Sequence, residues 1–222
     1  MGQRQLPLFG GGDGGDDGAP PGSSVVPRVT AEDRDLAAAL PRFVRFGTSS
    51  WSFPGWRGIV WEGAPTEAEL ARRGLEAYAQ QPLFRAVSLD RSYYGPLRAE
   101  DLEAYRAQLA SAREKAPGLV PFRALSKVWD ELTTAVFPRH PRYGARAGTR
   151  NPHFLDPARF RSEVLAAYAE GFLDDAGPFV FELTPMPKGA LDERALVARA
   201  DDFIARLPSG HRWAFELRNP EL

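Results

Sequence analysis

From Phe43 onward, short stretches with a two-residue apolar period alternate with longer stretches of helical period. "FVRFGTSSW" (Phe43 to Trp51) reads as a strand and is followed by a Gly/Pro/Trp loop. "TEAELARRGLEAYAQ" then opens with Thr66 and Glu69 at capping-box spacing, and Leu70, Leu75 and Tyr78 form a helical stripe. A second strand, "AVSLDRSYY" (Ala86 to Tyr94), precedes a helix with Leu102, Tyr105 and Leu109 on one face, closed by Pro117-Gly118. "VPFRALSK" (Val120 to Lys127) is the third strand. After a long loop, Asp156-Pro157 starts a helix carrying Phe160, Val164, Tyr168 and Phe172. "PFVFELT" (Pro178 to Thr184), a helix with Leu196, Val197, Ala200, Phe203, Ile204 and Leu207, and "WAFELRN" (Trp213 to Asn219) complete the series. Five strands separated by helices predict a parallel sheet with helical crossovers.

The polarity within each strand sharpens this. Phe179, Phe181 and Leu183 share one parity, while Val180, Glu182 and Thr184 share the other. Trp213, Phe215 and Leu217 oppose Ala214, Glu216 and Arg218, and Val87 and Leu89 oppose Ser88 and Asp90. A doubly wound sheet, covered on both faces, reads apolar throughout. One apolar face and one that turns polar towards the strand C-termini is the pattern of a barrel with an active-site end. The expected fold is therefore α/β, a partial (β/α) TIM-like barrel with five parallel strands. Eight strands need roughly 250 residues, so the last three are expected to be missing and the chain to be a truncated product.

Composition narrows the function classes. The 222 residues carry 28 basic and 29 acidic side chains, which predicts no wholesale attraction to nucleic acid or membranes. Only Lys115, Lys127 and Lys188 are lysines. The absence of Cys excludes disulfides, thiolate metal sites and cysteine nucleophiles. With no signal-peptide pattern and no run of about 18 apolar residues, a cytoplasmic chain without membrane attachment is expected. Residues 1–27 read as a tail, because "GGGDGGDDGAPPGSS" (Gly10 to Ser24) is too polar to offset its ordering entropy. The folded domain is expected over 42–222.

Four segments carry a family resemblance: "FVRFGTSSWSFPGWRG", "AVSLDRSYYGPL", "GPFVFELTPMP" and "WAFELRNPEL". In this order they resemble the domain of unknown function 72 family, which implies a TIM-like barrel and brings no established reaction. The chain departs from the family pattern at Ser88 and Asp90, at Glu182, at Asn219 and in a longer loop from Phe137 to Pro157.

The strand ends supply the candidate chemistry. Asp90, Glu182 and Glu216 can divide into acid and base if their environments separate their pKa values, and Lys127 and Arg218 can hold an anionic group. Glu216, Arg218 and Lys127 also read as a structural ion-pair network inside the barrel. Trp51, Ser52 and Trp56 are candidate substrate contacts, with packing of the barrel mouth as the plainer role of the tryptophans. As an enzyme the chain is expected to be a hydrolase or lyase acting on an anionic or phosphate-bearing substrate; the alternative is an inactive fragment whose barrel is incomplete. No cofactor is implied. His140, His153 and His211 lie away from the strand ends, so a metal could only draw on Asp90, Glu182 and Glu216, a weak set for one. "FPRHPRYGARAGTRNP" carries Arg139, Arg142, Arg146 and Arg150 and suggests phosphate or nucleic-acid contact. Finally, "QLPLF" presents Gln5, Leu6, Leu8 and Phe9 ahead of the linker. It is similar to the peptide by which bacterial replication and repair proteins dock on the sliding clamp, two apolar anchors and an amide on a flexible tether.

Overall fold

A computed structural model describes residues 25–189 and 192–219. The clamp-like peptide and the Gly/Asp-rich linker lie outside the described residues.

Five strands, β1 (Phe46–Thr48), β2 (Phe84–Leu89), β3 (Arg123–Lys127), β4 (Ala176–Leu183) and β5 (Trp213–Leu217), form one sheet. All neighbours are parallel and the spatial order is the chain order, β1-β2-β3-β4-β5. Right-handed crossovers in unbroken order place every connecting helix on the same side of the sheet. A doubly wound sheet reverses its order and covers both sides; this one leaves a face open. The architecture is α/β and consistent with a partial (β/α) barrel.

The helices on the covered face are α2 (Glu67–Gln80), α3 (Ala99–Lys115), α6 (Ala166–Ala169) and α7 (Glu193–Ala205). The expected capping box forms in α2: Thr66 Oγ1 accepts from Glu69 N at 3.2 Å, and Glu69 Oε2 accepts from Thr66 N at 2.8 Å. Leu102, Tyr105 and Leu109 are buried along α3. Asp156 Oδ1 accepts from Ala158 N and Arg159 N, both at 3.0 Å, and Pro157 takes the first helical position of α5 (Pro157–Arg159). A π-helical turn, Phe160–Leu165, joins α5 to α6. The core is aromatic at this end: Phe160 meets Phe179, Phe181, Phe203 and Trp213 with ring centroids 5.2–6.1 Å apart. Ser126 points into this apolar layer, and the Tyr168 hydroxyl donates to its Oγ at 2.8 Å. Two buried hydroxyls thus satisfy each other.

Several boundaries differ from expectation for identifiable reasons. β1 has three residues, and Gly47 lies so close to β2 that a Cβ there would meet the Ala86 carbonyl oxygen at 2.0 Å. β2 stops at Leu89, because Ser92 Oγ lies 2.5 Å from Leu89 O and 2.6 Å from Lys127 O and anchors a 3₁₀ turn over Asp90–Tyr93. β3 begins at Arg123, two residues past Pro121, which has no N–H for the ladder. A helix precedes the expected domain start: α1 (Ala31–Ala39) has its own capping box from Thr30 and Asp33. The buried Arg85 side chain fastens the segment around it, donating to Ala37 O at 2.6 Å, Pro41 O at 2.8 Å and Val44 O at 3.0 Å.

Candidate functional site

Asp90, Lys127, Glu182, Glu216 and Arg218 meet at the C-terminal ends of four adjacent strands. Parallel register explains it. Glu182 and Glu216 are direct partners across β4 and β5, and Lys127 pairs with Val180, two residues before Glu182 on the same face. Side by side, the two glutamates would repel. Arg218, one pleat beyond Glu216, bridges them: its Nη1 is 2.9 Å from Glu182 Oε1 and its Nε donates to Glu216 Oε1 at 2.7 Å. On the other side, Lys127 Nζ lies 3.3 Å from Glu182 Oε2 and 3.5 Å from Asp90 Oδ2. Asp90 also accepts a hydrogen bond from Ser88. The result is an unbroken row of alternating charge, Asp90, Lys127, Glu182, Arg218, Glu216.

Glu182 is the hub. Its side chain is 8% exposed, against 44% for Arg218 and 46% for Glu216. A buried carboxylate is tolerable only with paired cations, and here it has two. Its Oε2 faces Lys127 at ion-pair distance without a well-directed hydrogen bond. Burial pulls the Lys127 pKa down, but Asp90 and Glu182 outweigh it and hold the ammonium above its ordinary range. For Arg218 too, burial acts downward and is overcome by Glu216 and Glu182.

A second layer, whose buried carboxylates the strand pattern does not mark, backs this row. The short α4 (Asp130–Thr133) follows β3 and buries Asp130 and Glu131. Asp130 accepts from Tyr143 Oη at 2.8 Å and pairs with Arg142. Burial pushes the Asp130 carboxyl above the usual range, with Tyr143 and Arg142 acting against that. The Arg142 guanidinium lies 4.8 Å over the Tyr94 ring, 4.9 Å over Tyr143 and 5.7 Å over Tyr93. Tyr93 stands between the layers: burial raises its phenol pKa, a hydrogen bond with Thr184 lowers it, and Asp130 and Glu182 raise it again. Thr184 is held in turn by Thr134, hydroxyl to hydroxyl at 2.9 Å. Asn219 exchanges two hydrogen bonds with the Met186 backbone, at 2.7 and 3.1 Å, tying the exit of β5 to that of β4. The sequence signal for this layer was an acidic pair, Asp130-Glu131, directly after a strand and upstream of an arginine-rich loop.

The loop arginines do not form one outward-facing set. Arg142 pairs with Asp130, and Arg146 Nη1 lies 2.6 Å from Glu131 Oε2 while stacking 4.4 Å over Phe137. Arg139 and Arg150 have no ion pair among the described residues.

Nor do the tryptophans join the charged row. Trp51 is buried against the helices, its indole N–H donating to Leu70 O at 3.1 Å and its ring edge-on to Tyr105 at 5.1 Å. Trp56 stacks on Tyr78 at 6.2 Å and lies 6.5 Å from Phe84, the first residue of β2, at the far end of the strand from Asp90. The connection after β1 thus packs along the helix-covered side. Ser52 pairs with Ser50, Oγ to Oγ at 2.9 Å, in the same connection. Among the described residues, no group of three or more His, Asp or Glu side chains is arranged to hold a metal ion. In the charged row, Lys127 and Arg218 stand between the carboxylates. No described helix is long and apolar enough to cross a membrane.

Residues 45–222 match the model of a family described as "Protein of unknown function DUF72". The chain belongs to this family. No curated protein and no solved structure matches it.

Proposed function

We propose that the C-terminal end of the sheet is an acid/base site for a small anionic substrate, one bearing a carboxylate or a phosphate. The observation that carries this reading is the alternating row of five charged groups across four strand ends, centred on the buried Glu182. A row that only stabilised the fold would have little reason to leave its outer members in water. Arg218 and Glu216 are both nearly half exposed and already oriented by one another. An incoming oxyanion meets the remaining N–H groups of Arg218, whose planar fork suits carboxylate and phosphate. Lys127 supplies a second positive charge. Glu216, the accessible carboxylate, is the proton acceptor and donor, and Glu182 fixes both cations for it. The reaction class this supports is addition or removal of water, or elimination, next to an anionic group.

The test is a thermal-shift screen of carboxylate- and phosphate-bearing small molecules, followed by turnover assays on those that bind. Arg218→Ala is expected to abolish the stabilisation. Glu216→Gln is expected to retain binding and lose turnover. If every compound that binds does so equally well to Arg218→Ala, the assignment is wrong.

A second reading concerns location. Gln5, Leu6, Leu8 and Phe9 fit a sliding-clamp docking peptide, with two apolar anchors and an amide. A clamp pull-down that is unchanged by Leu8→Ala with Phe9→Ala would remove it.

A further inference from the structure

The opposite end of the open face has a different character. A groove of about 550 Å³ runs across the N-terminal halves of β2, β3 and β4. Ala86, Leu125 and Pro178 form its walls, and Arg45, Arg123 and Arg212 line it from the start of three strands. Asp174 is the single carboxylate among the lining residues. The next carboxylate in the chain, Asp175, is already buried and paired with Arg113. The arginines themselves are only partly engaged. Arg45 donates to the Pro121 carbonyl and Arg123 to the Asp174 carbonyl, while the Arg212 guanidinium has no partner among the described residues.

Three guanidinium groups held on one concave surface repel one another, and a protein ordinarily separates or neutralises them. The Arg45 pKa records the crowding: burial lowers it, and Arg123, Arg212 and Arg85 lower it further. Backbone hydrogen bonds fix Arg45 and Arg123 in place, so the site is pre-organised and its uncommitted N–H groups belong to planar forks suited to oxyanions. The wall residues Ala86, Leu125 and Pro178 are apolar, and the cations line one hollow instead of tracking along a strip.

We infer that this groove binds a compact, multiply charged phosphate group, with Arg45, Arg123 and Arg212 as its ligands. The site is independent of the acid/base row at the other end of the strands. A polymer backbone would need cations spread along its path, whereas these surround one pocket.

The experiment is thermal unfolding and calorimetric titration of the full chain with sodium pyrophosphate, against sodium chloride at matched ionic strength. Pyrophosphate is expected to raise the melting temperature where chloride does not. Arg212→Gln, whose side chain holds nothing else in place, is expected to weaken pyrophosphate binding about tenfold, the size of one charge-assisted contact. Arg45→Gln with Arg212→Gln is expected to abolish it, and Arg218→Ala to leave it unchanged. Three results overturn the inference. They are no stabilisation beyond chloride, loss of binding in Arg218→Ala with retention in Arg212→Gln, or tighter binding of single-stranded DNA than of pyrophosphate at equal phosphate concentration.

Discussion

The two ends of the open face use the same residue types to opposite effect. At the C-terminal end, Lys127, Arg218 and Arg142 each have a carboxylate within ion-pair distance. At the N-terminal end, Arg45, Arg123 and Arg212 share one lining carboxylate, and two of them rest on backbone carbonyls. Cations in the first set are held by charge, whereas in the second Arg45 and Arg123 are held by dipoles and Arg212 by no partner among the described residues. The difference shows where electrostatic stress resides. At the paired end every cation has a carboxylate, and removing the central Glu182 leaves its neighbours uncompensated. The arginine end is already under repulsion, and removing a member relieves it.

The largest effect is expected from Glu182→Gln, which leaves Lys127 and Arg218 facing each other without their shared counter-charge. Breaking a buried pair costs roughly 3–5 kcal/mol. Both partners are partly exposed, so about 2–3 kcal/mol is expected in urea unfolding. A loss below about 0.5 kcal/mol would show that the row is decoration. Next in size is Arg142→Ala, which strips the buried Asp130 of its cation and removes the contact to three tyrosine rings. A loss of roughly 1–2 kcal/mol is expected, and an unaltered urea midpoint would contradict the layering described.

The pH dependence separates the ends further. Lys127 has a folded pKa raised above its ordinary 10.5. Its contribution is therefore fully present below that value and lost as the pH climbs through the folded pKa. The stability advantage of the wild type over Lys127→Met should shrink in that alkaline window. An advantage that stays constant there would assign the effect to packing of the lysine stem. The smallest change is expected from Arg212→Gln without added anion: a gain within about 0.5 kcal/mol, from relieved repulsion. A loss of more than that would place Arg212 in a structural contact and sharpen the contrast away.

Strand parity made the charged row legible in the sequence. In a parallel sheet, a two-residue period and near-level register suffice to gather Asp90, Lys127, Glu182, Glu216 and Arg218 on one face. Where the chain leaves a strand, parity says nothing about direction. Trp51 and Trp56 follow β1 closely, yet their connection packs along the covered side, and nothing in "SSWSFPGW" distinguishes that from a path over the open face. Asp130 is not legible in the sequence because "VWDELTT" has no clear period and its partners, Arg142 and Tyr143, lie in an irregular loop. α1 is hard to read although Thr30 and Asp33 cap it, since its alanine-rich stripe carries little amphipathic contrast. The Arg45, Arg123 and Arg212 groove depends on three positions remote in sequence, and no spacing among them marks a shared site.

The unbroken strand order bears on how the molecule assembles. Each strand pairs with the one made just before it, and α2 packs beside α3 and α3 beside α6. No early strand has to wait for a distant later one before gaining a partner. Loop-closure entropy is therefore met in a series of similar, moderate steps. A chain emerging from the ribosome can add its units one at a time, each capping the apolar flank left open by the last.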